Sequence, residues 1–410
     1  MKRPNLSDST ESVSLSRREM ILASGVMIVG MMPVRGQAAE GPGPSGKDLI
    51  FRTTEPRNAE PRLSDLIRSW ITPTKYFYVR SHAPNPEIDP GRFRLHVDGM
   101  VHKSLELSLD DLRRYPQRTI TATLTCAGNR RAEFNQQAPV GGVQWQAGAI
   151  GNATWTGVAL ADVLQDAGVD DAARHVWMEG LDAVPHDGGT IPFGASVPIE
   201  KVRVLGDDVG ALLVTHMNGH PLPVDHGYPL RAIVPGYIGA RSVKWLGRIT
   251  LSDRPSTNHY VATAYKIVTD TAALDWSESG PIYRYPINAA IAIPEPDAVL
   301  PPGKVEVAGY ALPTGRADAR IRRVWVSADG GKSWTAAELS GDDLPYCWKL
   351  WRAEVQVTPD TTELIVRASD SSGGFMPARV PWNAKGYLQN AWYRLPVRIE
   401  GADLDRKRGR

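Results

Sequence analysis

Hydrophobic and polar positions alternate in short runs along most of this chain, and helical spacing is confined to two brief stretches. Residues 118–126 alternate most cleanly. Ile120, Ala122, Leu124 and Cys126 share one face and threonines occupy the other, the pattern of a strand with two different environments. Residues 92–98 alternate likewise and stop at Gly99. Further strands are predicted near 175–178, 211–216, 230–234 and 243–251. The spacing of Leu160, Val163 and Leu164 predicts a helix over 158–168 that ends at Gly168. A shorter helix over 109–115 is stopped by Pro116.

The texture changes near Ala289. Runs at 304–311, 320–327, 347–357 and 363–369 are strand-like and separated by Pro, Gly and Asp. A segment of about a hundred residues with this pattern reads as an immunoglobulin-like β-sandwich. The expected fold class is therefore mixed α+β, with a catalytic or binding domain over 48–286 followed by a sandwich over 287–401. Residues 39–47 read as a linker and 402–410 as a basic tail. Ser327-Ala-Asp-Gly-Gly-Lys-Ser-Trp334 resembles the Asp-box hairpin of sialidases. One copy reads as a turn, with Asp329 binding backbone amides and Trp334 packed beneath.

Composition narrows the function. Hydrophobic residues make up 42% of the 410 and charged residues 22%, ordinary values for a globular core. A net charge of +2 excludes a nucleic-acid binder working by bulk charge. Two cysteines exclude a disulfide scaffold. At the N-terminus, Ser16-Arg17-Arg18 precedes a 13-residue apolar run, Met20 to Met32, too short for a permanent membrane anchor. Gly36-Gln37-Ala38 offers a small-x-small cleavage site. Residues 1–38 are expected to be a twin-arginine signal, which exports folded, often cofactor-loaded proteins to the periplasm.

Four clusters carry candidate chemistry. Cys126 ends a buried-looking strand and is followed by Ala-Gly-Asn-Arg-Arg131. A core strand rarely continues this way, and two nearby arginines favour a thiolate, either a metal ligand or a nucleophile. Asp225-His-Gly-Tyr-Pro-Leu-Arg231 and Gly239-Ala-Arg-Ser-Val-Lys-Trp245 each set a cation beside glycines. Read singly, each is as good a loop as an anion site. Tyr76-Phe-Tyr-Val-Arg-Ser-His82 alternates so that Tyr78 and Arg80 share a face, suiting Arg80 to a small oxyanion. Walker loops and Gly-x-Ser-x-Gly elbows are absent from the sequence.

Taken together and in this order, the clusters resemble the sulfite oxidase family of molybdenum enzymes. Glu179-Gly-Leu-Asp182 and Gly194-Ala-Ser196 add to the match. The resemblance implies a molybdenum–molybdopterin cofactor with Cys126 as the thiolate ligand. It implies pterin and phosphate contacts from Ser81, His82, Asp182, His226, Arg231, Ser242, Val243 and Lys244. Arg80, Arg131 and Tyr265 would line the pocket for sulfite, with Tyr260 a nearby competitor for the tyrosine role. It further implies oxidation of sulfite to sulfate and a sandwich that makes a homodimer. The chain has no Cys-x-x-Cys-His motif, so no haem is expected in it and electrons would pass to a soluble c-type cytochrome.

The nearest alternative is a sulfane dehydrogenase acting on a protein-bound cysteine persulfide. The doubled charge of Arg130 and Arg131 favours the small oxyanion over that bulky arm. A non-catalytic module keeping the fold would hold no metal, and a glycosidase is disfavoured because a propeller needs several Asp boxes. Cys347 is expected to be a buried thiol, since bridging it to Cys126 would remove the metal ligand. Lys349 and Arg352 are candidates for extra positive charge near the pocket.

Overall fold

The computed structural model describes residues 48–203, 210–269 and 279–401. The expected export signal, linker and basic tail lie outside those residues. Among the described residues no helix is long and apolar enough to cross a membrane.

The first domain is built on two sheets. One is mixed, with strands in the order Gly194–Pro198, His175–Gly180, Leu246–Ser252, Leu95–Gly99 and Leu105–Leu107. Its central strand Leu246–Ser252 runs parallel to Leu95–Gly99 and antiparallel to His175–Gly180. The helix Leu160–Ala167 closes one side and buries Leu160, Val163, Leu164 and Ala167. This is the apolar stripe that the spacing predicts. These residues share a core with Val97, Met178 and Ile249 of the sheet.

The second sheet is antiparallel. Gln117–Thr125 pairs with Ile150–Ala159, which pairs with Leu212–Met217, and Arg231–Ile233 adds to that third strand. The hydrophobic pattern does not foretell Ile150–Ala159, because Gly151, Asn152 and Gly157 dilute its alternation. It is nonetheless central, with Ala153 and Trp155 fully buried and the Trp155 indole donating to Ala122 O at 3.1 Å. The predicted helix start at 158 belongs instead to the end of this strand.

The second domain is the expected sandwich. One four-stranded sheet orders Asn288–Ile293, Gly303–Leu312, Lys349–Val357 and Glu338–Ser340. The other orders Thr335–Ala336, Ile321–Ser327, Glu363–Asp370 and Tyr393–Pro396. Inward residues of both, such as Val307, Val324, Ala353 and Leu364, form its core. In the Asp-box turn, Asp329 accepts from the amides of Lys332 and Ser333 at 3.0 and 2.9 Å. Trp334 packs edge-on against Trp392, so this copy is a structural turn.

The two domains meet along the Gln117–Thr125 strand, which runs up to Cys126. The second domain covers the end of its threonine face near Thr123, whose Oγ1 accepts from Trp348 N at 3.1 Å and donates to Asn152 Oδ1 at 3.0 Å. Cys347 is a free buried thiol beside this seam, its Sγ 3.3 Å from Thr121 O. Burial pushes its pKa up to about 12, which makes it inert, as expected.

Candidate active site

Cys126 follows directly on the Gln117–Thr125 strand and is only 8% exposed. Its amide donates to Ala149 O at 2.9 Å, its carbonyl accepts from Asn129 N at 3.0 Å, and Gly128 N–H points at Sγ from 3.4 Å. The loop behind it is pinned by the second domain, where Tyr310 Oη donates to Ala147 O and accepts from Asn129 Nδ2. Cys126 thus has a fixed direction, onto a cleft whose space, mouth included, comes to about 680 Å³.

Tyr78, Arg80, Ser81 and His82 supply one wall. Only Val79–Arg80 is a strand, shorter than the alternation suggests, paired with Asn58–Glu60. Tyr78 and Arg80 both face the cleft, as predicted. Arg80 Nη1 donates to Asn58 Oδ1 at 3.1 Å and to Ser81 O. Buried, with Arg80 and Lys244 beside it, His82 is held well below its ordinary pKa and is neutral. Its ring stacks on Phe193 at 4.6 Å.

The floor comes from 225–245. Arg231 is 4% exposed and donates to the carbonyls of His226 and Ser242 at 2.9 and 3.1 Å. Lys244 Nζ donates to Ser81 Oγ at 2.8 Å and to the main-chain oxygen of Asp225 at 2.9 Å. Burial and the neighbouring Arg231 pull Lys244 down to about 7, partly offset by Asp225 and Asp182. Burial, Arg231 and Lys244 also pull His226 down to about 3. Burial lowers Arg231 to about 10. The Asp225 carboxylate is engaged elsewhere, with Arg57 at 2.6 Å and Asn85 at 2.7 Å. Burial raises the pKa of Asp182, whose Oδ1 accepts from Phe193 N.

Tyr265 completes the site. Its hydroxyl lies 3.1 Å from His82 Nε2, and burial raises its pKa. Tyr265 lines the cleft, whereas the competitor Tyr260 packs behind it against His82 and Phe193.

Ten of the twelve predicted site residues line this cleft. Val243 does not: its side chain belongs to the core with Leu246 and Ile249, so its assignment rests on its main chain alone. Arg131 lies outside the lining too, 6% exposed, with Nη1 on Val143 O at 3.0 Å and its guanidinium over Tyr387 at 5.1 Å. It still faces the site electrostatically, acting on both His82 and Tyr265.

The doubled charge read from Arg130 and Arg131 is corrected. Arg130 takes a left-handed backbone (φ 67°) and turns into the domain seam, fully buried. There it makes a bidentate pair with Glu133 at 2.7 Å and bonds Asn288 at 2.8 Å. Lys349 pairs with Asp343, and Arg352 lines a separate groove beside Trp70, so neither charges the cleft. Sequence reasoning gave no site role to Phe193 or Trp245 of the lining, although Phe193 adjoins a quoted motif and Trp245 ends one.

The charge balance tests what the cleft holds. Among the described residues, Arg80, Arg131, Arg231 and Lys244 have no carboxylate partner within 4.0 Å, and His226 Nε2 is buried without any hydrogen-bond partner. Arg131 and Arg231 are buried and Arg80 and Lys244 half-buried; cations so enclosed and unpaired are costly, so the cleft fits a polyanion. Cys126 adds a soft donor. A molybdopterin, with a phosphate and a thiolate-seeking metal, fits both requirements. Arg231, Lys244, Ser81 and His226 would hold its anionic end, and Cys126 its metal.

Comparisons with known proteins agree with this donor set. Residues 82–260 match the oxidoreductase molybdopterin binding domain, and 279–400 the Mo-co oxidoreductase dimerisation domain. The chain is 41% identical over 367 residues to mitochondrial sulfite oxidase of Mus musculus, covering 86% of this chain and 66% of the mouse protein. It is 36% identical over 386 residues to sulfite oxidase of Arabidopsis thaliana, covering 88% of this chain and 96% of the plant protein. The solved sulfane dehydrogenase SoxCD of Paracoccus pantotrophus superposes with a TM-score of 0.74 at 25% identity, over 94% of this chain and 97% of that one.

Proposed function

Because the chain belongs to the sulfite oxidase family of molybdopterin oxidoreductases, we propose that it oxidises sulfite to sulfate. The observation that carries this reading is the meeting of Cys126 with Arg80, Arg231 and Lys244 in one cleft, the three cations lacking carboxylates. A bound molybdenum–molybdopterin would supply two-electron oxygen-atom transfer.

The chain's own residues do the rest. Arg80 and Arg131 attract a small oxyanion and orient its oxygens through charge-assisted bonds. Arg80 faces the cleft directly, and Arg131 Nη2 makes no hydrogen bond among the described residues. Tyr265 stays protonated because burial raises its pKa. A His82 tautomer protonated on Nε2 donates to the phenolic oxygen 3.1 Å away and leaves the O–H for the substrate. Neutral His82 also avoids adding a fifth positive charge. Enclosure behind Phe193 and Tyr78 strengthens each of these bonds.

Export to the periplasm by the twin-arginine route, suggested by Ser16-Arg17-Arg18 and the apolar run after it, would place the enzyme beside soluble c-type cytochromes. These are the one-electron acceptors we assign to it. The dimerisation domain supports a homodimer.

The sulfane dehydrogenase alternative rests on the SoxCD superposition. Sulfite is preferred because identity to sulfite oxidases reaches 36–41%, against 25% to SoxCD. With purified holoenzyme and oxidised cytochrome c, sulfite should drive reduction with saturable kinetics. Absence of turnover with sulfite, together with turnover of a persulfide-bearing carrier protein, would select the alternative.

A further inference from the structure

Arg131 is the one predicted substrate arginine outside the cleft lining, and its surroundings come from far along the chain. Residues 383–388, beyond most of the sandwich, fold into a tight loop. Asn383 clamps Tyr387 twice, accepting from its amide and donating to its carbonyl, each at 2.9 Å. The next amide, Leu388 N–H, donates to Ala127 O at 2.8 Å, one residue from Cys126. Gly386 sits at φ 57°, and a Cβ there would come within 2.7 Å of Arg131 Cγ. Only glycine lets the loop lie this close to the arginine stem.

The clamp places the Tyr387 ring between two groups assigned to the substrate. The Arg131 guanidinium stands 5.1 Å from its centroid. The Tyr265 ring lies 5.3 Å away and nearly parallel, at 16°. Tyr387 is 8% exposed and its hydroxyl makes no hydrogen bond among the described residues. The contacts with Arg131 and Tyr265 are made by the ring face. Among the described residues Arg131 makes a single side-chain hydrogen bond, from Nη1 to Val143 O; its guanidinium is otherwise held by packing, against the backbone at Gly128 and Gly142 and over the Tyr387 ring face.

We propose that Tyr387 is a positioning residue for oxyanion binding: its ring face aligns Arg131 and Tyr265, and so sets affinity for the substrate anion without touching the cofactor. This rests on the sulfite reading for the identity of the anion. Cation–π and stacked-ring contacts of this kind correspond to about tenfold in a binding constant.

The test uses holoenzyme carrying Tyr387→Phe or Tyr387→Leu, with sulfate, the product anion, as a binding probe in calorimetry alongside sulfite kinetics and pterin content. Tyr387→Phe keeps the face and should stay within about twofold of the parent in every measurement. Tyr387→Leu should weaken sulfate binding and raise KM for sulfite about tenfold, with kcat changed less than about threefold and pterin content equal to the parent. Unchanged sulfate binding in Tyr387→Leu would overturn the proposal. So would a loss of kcat in Tyr387→Phe, which would make the hydroxyl the working group; that variant decides the matter even if Tyr387→Leu does not fold. If the parent binds sulfate but does not turn over sulfite, the functional reading fails while the sulfate ratio still decides the role of Tyr387. Parent protein that binds no sulfate overturns both.

Discussion

Replacing Lys244 by methionine should stabilise the cofactor-free protein and, in the same molecule, abolish cofactor retention. Lys244 is pulled from an ordinary 10.5 to about 7, first by burial and then by Arg231. Between those values the unfolded chain binds a proton that the folded chain does not, so stability rises with pH across the window. At pH 7 the depression amounts to at most roughly 4 kcal/mol of destabilisation. Methionine removes that penalty. It also forfeits the bonds to Ser81 Oγ and Asp225 O, at about 1 kcal/mol each. The variant should therefore be more stable than the parent by roughly 2 kcal/mol at pH 7. At pH 10, where only roughly 1 kcal/mol of the penalty remains, it should be less stable by about 1 kcal/mol. Urea unfolding of both apoproteins, produced in a host unable to make molybdopterin, measures the difference at each pH while other titrating groups cancel. In a cofactor-competent host the variant should carry little pterin. Equal destabilisation at both pH values, or full pterin content, would refute the electrostatic reading of this floor.

Three further outcomes follow from the same geometry. Cys126→Ser should leave the thermal unfolding of the apoprotein within a few degrees of the parent while sulfite turnover falls more than about a hundredfold, as expected when a metal ligand is lost. Gly128→Ala would place a Cβ 2.6 Å from Arg131 Nη2, so KM for sulfite should rise about tenfold or more with pterin content unchanged, as read by steady-state kinetics. His226, neutral in the folded protein down to about 3, should make the apoprotein lose stability as pH falls from about 6.5 toward 3. His226→Gln should flatten that limb in urea unfolding measured across the range.

Much of the site was legible because its chemistry sits in short contiguous runs. Alternation over 118–126 gave the strand that aims Cys126, and the glycine-flanked cations of 225–245 gave the anion-binding floor. What escaped was decided by distant contacts. Nothing local distinguishes Arg130 from Arg131; Glu133 and Asn288, the latter 158 residues away, turn one into the seam. Val243 lies between two lining residues, yet the period of the chain sends it into the core. The strand Ile150–Ala159 is masked by glycines that close neighbours require: a Cβ at Gly157 would lie 2.0 Å from Leu213 O, and one at Gly151 2.6 Å from the Phe77 ring. Tyr387 carries no motif of its own, and its placement depends on a clamp formed by Asn383.

The most direct measurement is molybdenum per polypeptide in protein purified from cells supplied with molybdate, read beside sulfite turnover in the same preparation. Molybdenum should approach one atom per chain, and activity should scale with occupancy across partly loaded samples. Metal-free protein that oxidised sulfite at the full rate would contradict the role assigned to Cys126 and the cationic cleft around it.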